Sequence, residues 1–120
     1  MKVIKSFAYA FNGIRTCFIT QINFKIHALF TTLVIVLGIF FHISKIEWAI
    51  ILPCIALVIC AEIINTAIEK LCDVVHPQFS LKIKIIKDMA AGAVLITALI
   101  SLITGAFIFL PKIIYYIKSF

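Results

Sequence analysis

Apolar residues recur along the first stretch of the chain at Ile4, Phe7, Phe11, Ile14 and Phe18. At about 100° per residue these positions fall within an arc of roughly 80°, with Lys5, Tyr9, Asn12 and Thr16 on the opposite side. The pattern predicts an amphipathic helix over about 2–22 that lies in a membrane interface instead of crossing it. Beyond it the periodicity gives way to three nearly continuous apolar runs, about 26–43, 46–69 and 88–110. Each is close to the ~20 helical residues that span a hydrocarbon core. The expected fold is an all-α membrane protein, a surface helix followed by three transmembrane helices, forming one domain over 1–120.

Composition reinforces the pattern. The chain has 120 residues, 64% of them hydrophobic and only 13% charged. Its mean hydropathy is +1.22, and a soluble domain of this size needs more polar surface than that allows. The N-terminal MKVIKSFAYAFNGIRTCF lacks the uninterrupted apolar core and small-residue cleavage site of a signal peptide. Trp48, in the short SKIEW connection, suits the aromatic belt at a membrane surface. Pro53 marks a possible kink in the second span, and Pro77 is the strongest break in the polar connection 71–86. The third span is rich in Ala, Gly, Ser and Thr, as expected of a helix packed inside a bundle or an oligomer.

Charge sets an orientation. Net charge is +6, from ten lysines and one arginine against five acids. The basic residues flank spans instead of forming a solvated patch, so nucleic acid is not an expected partner. Lys2, Lys5, Arg15, Lys25, Lys70, Lys82, Lys84 and Lys87 share one predicted side, against Lys45, Lys112 and Lys118 on the other. The positive-inside rule then puts the N-terminus and the 70–87 connection in the cytoplasm. Cys17, Cys54, Cys60 and Cys72 form no CxxC pair and no zinc-like spacing with the histidines.

The chemistry lies in AEIINTAIEKLCD, residues 61–73. On one helix Glu62, Asn65, Glu69 and Asp73 fall within an arc of roughly 80°, a single polar stripe running from inside the membrane to its edge. Glu62 and Glu69 stand about 10 Å apart along the axis, too far to share a proton, so different tasks are expected of them. An ionisable residue inside a span is a functional hypothesis by default, the alternative being a structural carboxylate paired with a lysine of a neighbouring helix. Lys87 and Asp88 begin the third run and approach Glu69 and Asp73 if the connection folds back. A lysine among carboxylates suits phosphates bridged by a hard cation. The alternative has Lys87 serving only topology and Asp88 capping a helix N-terminus. The four glycines, Gly13, Gly38, Gly92 and Gly105, are scattered, so no P-loop is present. No hydrolase signature is present either.

These residues carry a resemblance. Glu62, Asn65, Thr66, Ala67, Ile68, Glu69 and Asp73, then Lys87, Asp88 and the following AAGAV, match the pattern E-x-x-N-[ST]-A-I-E-x-x-x-D…KD-x-x-[AS]-[AG]-A-V. The chain resembles the prokaryotic integral-membrane diacylglycerol kinases, a family that includes undecaprenol kinases, and SFAYAFNGIR is similar to their surface helix. The resemblance implies a homotrimer in the bacterial cytoplasmic membrane that moves the γ-phosphate of ATP, with Mg²⁺, onto a membrane lipid alcohol, undecaprenol or diacylglycerol. It implies Glu62 as general base and Glu69 as metal ligand. Asn65, Asp73, Lys87 and Asp88 would surround the nucleotide phosphates. Tyr9 would lie near the nucleotide, and Lys2, Lys5 and Arg15 would contact substrate or phosphate.

Two departures from the family pattern follow. Some members have a second metal-binding glutamate where this chain has His27, and the undecaprenol-kinase branch looks similar with F-[RK]-I-H. His27 is thus a candidate metal residue, although Mg²⁺ prefers oxygen. The family's E-[YF]-H before the lysine–aspartate pair is here Gln78-Phe79-Ser80. Gln78 and Ser80 are carried as nucleotide-binding candidates, with weak selectivity for ATP over GTP expected. Two other readings compete: a small multidrug-type transporter with an intramembrane glutamate as proton carrier, and a catalytically silent scaffold descended from the kinases.

Overall fold

The computed structural model describes residues 1–120 as four helices without strands. They are α1 (Lys2–Thr20), α2 (Ile22–Phe40), α3 (Lys45–Val75) and α4 (Leu81–Lys118). At 1.5 Å per residue α2 is about 28 Å long, α3 about 46 Å and α4 about 57 Å. A hydrocarbon core is about 30 Å thick, and α2, α3 and α4 are each apolar enough to cross it. The two longer helices therefore project beyond the bilayer, and the molecule measures 58 × 42 × 22 Å.

The connection between α3 and α4 is shorter than the expected 71–86. Only residues 76–80 lie outside helices, because α3 continues to Val75 and α4 already begins at Leu81. Apolar positions alternate with lysines in LKIKIIKD, which suits a helix that leaves the membrane with its cations in water. Asp88 lies in the second turn and beyond of α4 and cannot cap it; Ser80 holds the N-cap position, without a side-chain capping bond. The first span is also shifted, ending at Phe40 instead of 43. A tight turn follows, in which His42 adopts φ 53. Ser44 then starts α3 with a capping box: its side chain accepts from the Glu47 N–H, and the Glu47 carboxylate accepts from the Ser44 N–H.

Pro53 and Pro111 both lie inside helices, and α4 runs through Pro111. Proline is tolerated within membrane helices where the freed backbone groups are otherwise satisfied.

α3 is the centre of the molecule, packing most extensively on α4 and more narrowly on α2 and α1. Ser101 of α4 donates to the Cys54 carbonyl of α3 at 3.3 Å, a polar tie between two apolar surfaces. Ile43, Ile51 and Phe109 form the apolar core, flanked by Val34, Leu37, Trp48 and Ile55. Next to it Phe40 and Phe41 meet Tyr116 edge-on at 5.5 and 6.1 Å. Only 11 of 120 residues are buried, too few for a water-soluble core. The apolar stripe of α1 (Ile4, Phe7, Phe11, Ile14, Phe18) is exposed as well, as an interfacial helix requires. α1 touches the bundle through buried Cys17 and an edge contact between Phe18 and Phe24 at 6.4 Å. The small-residue expectation for α4 is not met within the chain: a Cβ at Gly92 or Gly105 would meet nothing within 4 Å.

Candidate functional site

The polar stripe of α3 meets α2 at Glu62 and α4 at Asp73. Glu62, Asn65 and Thr66 are its buried members, the carboxylate side chain only 3% exposed. An ionised group so placed is costly unless it is paired. The side chain that faces it is His27 of α2, Nε2 to Oε2 at 3.7 Å, an ion pair only where the imidazole carries a proton. No lysine of this chain pairs with Glu62.

One turn toward the membrane edge, Asn65 Nδ2 donates to Glu69 Oε1 at 3.4 Å. This fixes the amide so that Asn65 Oδ1 remains buried without a partner, as does Thr66 Oγ1. Buried polar atoms are normally satisfied, so these two unpaired atoms mark this face as a candidate site. A further turn out, Lys87 Nζ reaches back from α4 to Asp73 Oδ1 at 2.7 Å. The longer α4 makes this reach possible: residues 81–86 bring the chain back as helix alongside the end of α3.

Asp88 faces its own helix, held by Lys84 at 2.6 Å in an i,i+4 pair. Tyr9 is 71% exposed; Lys2, Lys5, Arg15 and Gln78 are exposed and Ser80 is half-buried. No side chain of these six is ion-paired to the stripe within one chain. Sequence reasoning did not single out the Thr66 hydroxyl, although its i+4 spacing from Glu62 signals a shared face. It also missed the pairing of Glu47 with Lys112 at 3.2 Å near the opposite end of the molecule.

For a divalent cation, the Glu69 carboxylate and the free Asn65 Oδ1 are oxygen donors of the kind Mg²⁺ takes. The imidazole of His27 fits that ion poorly and stands beside Glu62 instead. No group of three or more His, Cys, Asp or Glu side chains is assembled within the chain. Beside His27, between α2, α3 and α4, opens a cavity of about 310 Å³ with Phe30, Val34, Ile55, Ser101 and Gly105 among its walls.

The prokaryotic diacylglycerol kinase family model matches residues 8–109 of the chain. The chain belongs to that family. It is 40% identical over 112 residues to the undecaprenol kinase of Bacillus subtilis strain 168, covering 93% of this chain and 91% of that one. It is 36% identical over 113 residues to a diacylglycerol kinase of Synechocystis, covering 93% of this chain and 65% of the relative. The diacylglycerol kinase of Escherichia coli K12 is 27% identical over 103 residues, covering 86% and 84%. Membership in a lipid-kinase family leaves the transporter reading without support.

Proposed function

We propose that this lipid kinase transfers the γ-phosphoryl group of ATP to the hydroxyl of a long-chain membrane alcohol, a polyprenyl alcohol of the undecaprenol type in preference to diacylglycerol. The observation that carries the reading is the buried Glu62 carboxylate, aligned on one helix face with groups suited to phosphate and metal. Glu62 lies at the depth where a lipid hydroxyl arrives and takes its proton as general base. The hydroxyl oxygen forms a bond to the γ-phosphorus as the bond to the ADP oxygen breaks, and the electron pair leaves with ADP.

Glu69 and Asn65 would hold Mg²⁺, which when bound neutralises charge on the β- and γ-phosphate oxygens. Lys87 neutralises phosphate at the membrane edge, and Asp73 orients it. Asp88, Tyr9, Gln78 and Ser80 complete the nucleotide site, with Lys2, Lys5 and Arg15 contacting phosphate or substrate. Catalysis then rests on positioning and charge, without a phospho-enzyme.

Polyprenyl alcohol is preferred for two reasons: the 40% identity to a protein named undecaprenol kinase, and the apolar cavity beside His27, which suits a hydrocarbon chain whose head lies at Glu62. The open space beside Gly92 and Gly105 of α4 supports a homotrimer, in which surface residues of one subunit complete the site of another. Eight basic residues against three support a cytoplasmic N-terminus and a cytoplasmic 76–80 turn in a bacterial inner membrane.

The test is purified protein in lipid with Mg²⁺ and γ-labelled ATP, given undecaprenol and diacylglycerol side by side. Label is expected in both, with the higher kcat/KM for undecaprenol. A reversed ratio overturns the preference, and label in neither overturns the kinase reading.

A further inference from the structure

Thr66 is the most deeply buried residue of the chain, 2% exposed, and its hydroxyl has no hydrogen-bond partner. Four of the six other threonines, Thr16, Thr20, Thr32 and Thr97, donate to the carbonyl four residues back, as hydroxyls in helices commonly do. Thr31 and Thr104 make no such bond but are only half-buried, so Thr66 alone has a fully buried, unpaired hydroxyl. The preceding turn offers Thr66 the carbonyl of Glu62, yet no such bond forms. In an apolar setting an unpaired hydroxyl is destabilising, and valine has nearly the same shape. A threonine here is therefore costly for folding alone.

Its position gives the hydroxyl a use. Thr66 follows Glu62 by four residues and precedes Glu69 by three, so its Cβ neighbours both on the helix surface. On the axis it stands about 6 Å from Glu62 and about 4.5 Å from Glu69. With the acceptor hydroxyl at Glu62 and the cation at Glu69, the group in transit passes at the level of Thr66.

We infer that the Thr66 hydroxyl donates a hydrogen bond to an equatorial oxygen of the γ-phosphoryl group during transfer, a role that rests on the kinase reading. The transferring group spreads its charge over three equatorial oxygens, so a donor fixed beforehand in a dry site acts most strongly there. No proton moves from Thr66: the acceptor's proton goes to Glu62, the new O–P bond forms and the bond to ADP breaks. Asn65 is not interchangeable with it, because its amide nitrogen is committed to Glu69 and its free atom is an acceptor.

The experiment compares Thr66→Val, Thr66→Ser and wild type in lipid, by steady-state kinetics and by thermal unfolding of the ligand-free protein. Thr66→Val is expected to lower kcat about 100-fold, with KM for ATP and for the alcohol within about threefold of wild type. Thr66→Ser restores kcat to within about tenfold of wild type. The unfolding midpoint of Thr66→Val is expected at or above that of wild type, because an orphaned hydroxyl has been removed.

Unchanged kcat in an active Thr66→Val protein overturns the role and leaves the kinase reading standing. So does a lowered midpoint that serine restores together with activity, which marks a structural hydroxyl. A wild-type protein that labels neither alcohol overturns both.

Discussion

Asp73 of α3 and Lys87 of α4 meet at 2.7 Å, fourteen residues apart in the chain and on opposite sides of the 76–80 turn. The pair closes the α3–α4 hairpin where the stripe begun by Glu62 leaves the bilayer. The Lys87 side chain is 34% accessible and that of Asp73 66%, and such exposed pairs add little to stability. On the proposed reading, its value lies in holding the Lys87 ammonium at a defined place for phosphate.

Lys87→Met is therefore expected to leave the unfolding midpoint nearly unchanged while raising KM for ATP by about tenfold to a hundredfold. Thermal unfolding and initial rates over an ATP series check both halves. A large fall in midpoint with normal KM would make the lysine a structural residue.

Glu62→Gln keeps the size of a buried side chain and removes its charge, so the variant is expected to fold at least as stably as wild type. Turnover falls by about 10²- to 10⁴-fold, the usual contribution of a general base. Binding of a non-hydrolysable ATP analogue, measured by calorimetry, is expected to be unaltered. Wild-type turnover in this variant would remove Glu62 as base.

His27 and Glu69 part company over the cation. His27 stands 3.7 Å from Glu62, whereas Glu69 receives Asn65 and offers oxygen to a hard ion. Glu69→Gln should raise the Mg²⁺ concentration for half-maximal rate about tenfold or more, the direction expected on losing a charged ligand. His27→Asn should leave that concentration unchanged while lowering kcat. A shift of the Mg²⁺ titration in His27→Asn would return the histidine to the metal site.

The stripe was legible because helical rotation alone puts Glu62, Asn65, Glu69 and Asp73 on one face, and the apolar stripe of α1 was legible by the same rule. The ends of α3 and α4 were not. Lysines among apolar residues in LKIKII read as a loop by composition, although a helix leaving the bilayer needs that mixture. Tertiary contacts were beyond reach: nothing in the spacing shows that His27 meets Glu62, or that Lys84 occupies Asp88. Thr66 sits in the motif as one small polar residue among several. Its missing hydrogen bond becomes visible only when the acceptors around it are known.

Gly38 presents a relationship that periodicity hid altogether. Glycine in a membrane helix is unremarkable, yet a Cβ at this position would lie 2.6 Å from the Trp48 ring and 3.2 Å from Ile43 Cδ1. The Trp48 indole thus packs flush on the α2 backbone next to the core of Ile43, Ile51 and Phe109. The Gly38 carbonyl also accepts from the Ile43 N–H at 3.1 Å, so the turn into α3 is tied to the same point. The rigid ring cannot yield at its tip alone, and a methyl group must displace the indole or open the turn. Gly38→Ala is expected to destabilise the protein by about 1–3 kcal/mol, the range for overpacking. Alanine's better helix propensity offsets part of that, by up to about 1 kcal/mol. Thermal unfolding in detergent reads the loss, and Trp48→Leu in the Gly38→Ala background should recover part of it by removing the obstructing ring. If the two substitutions instead destabilise additively, they do not interact, and the close packing of Trp48 on Gly38 is not what resists the methyl group.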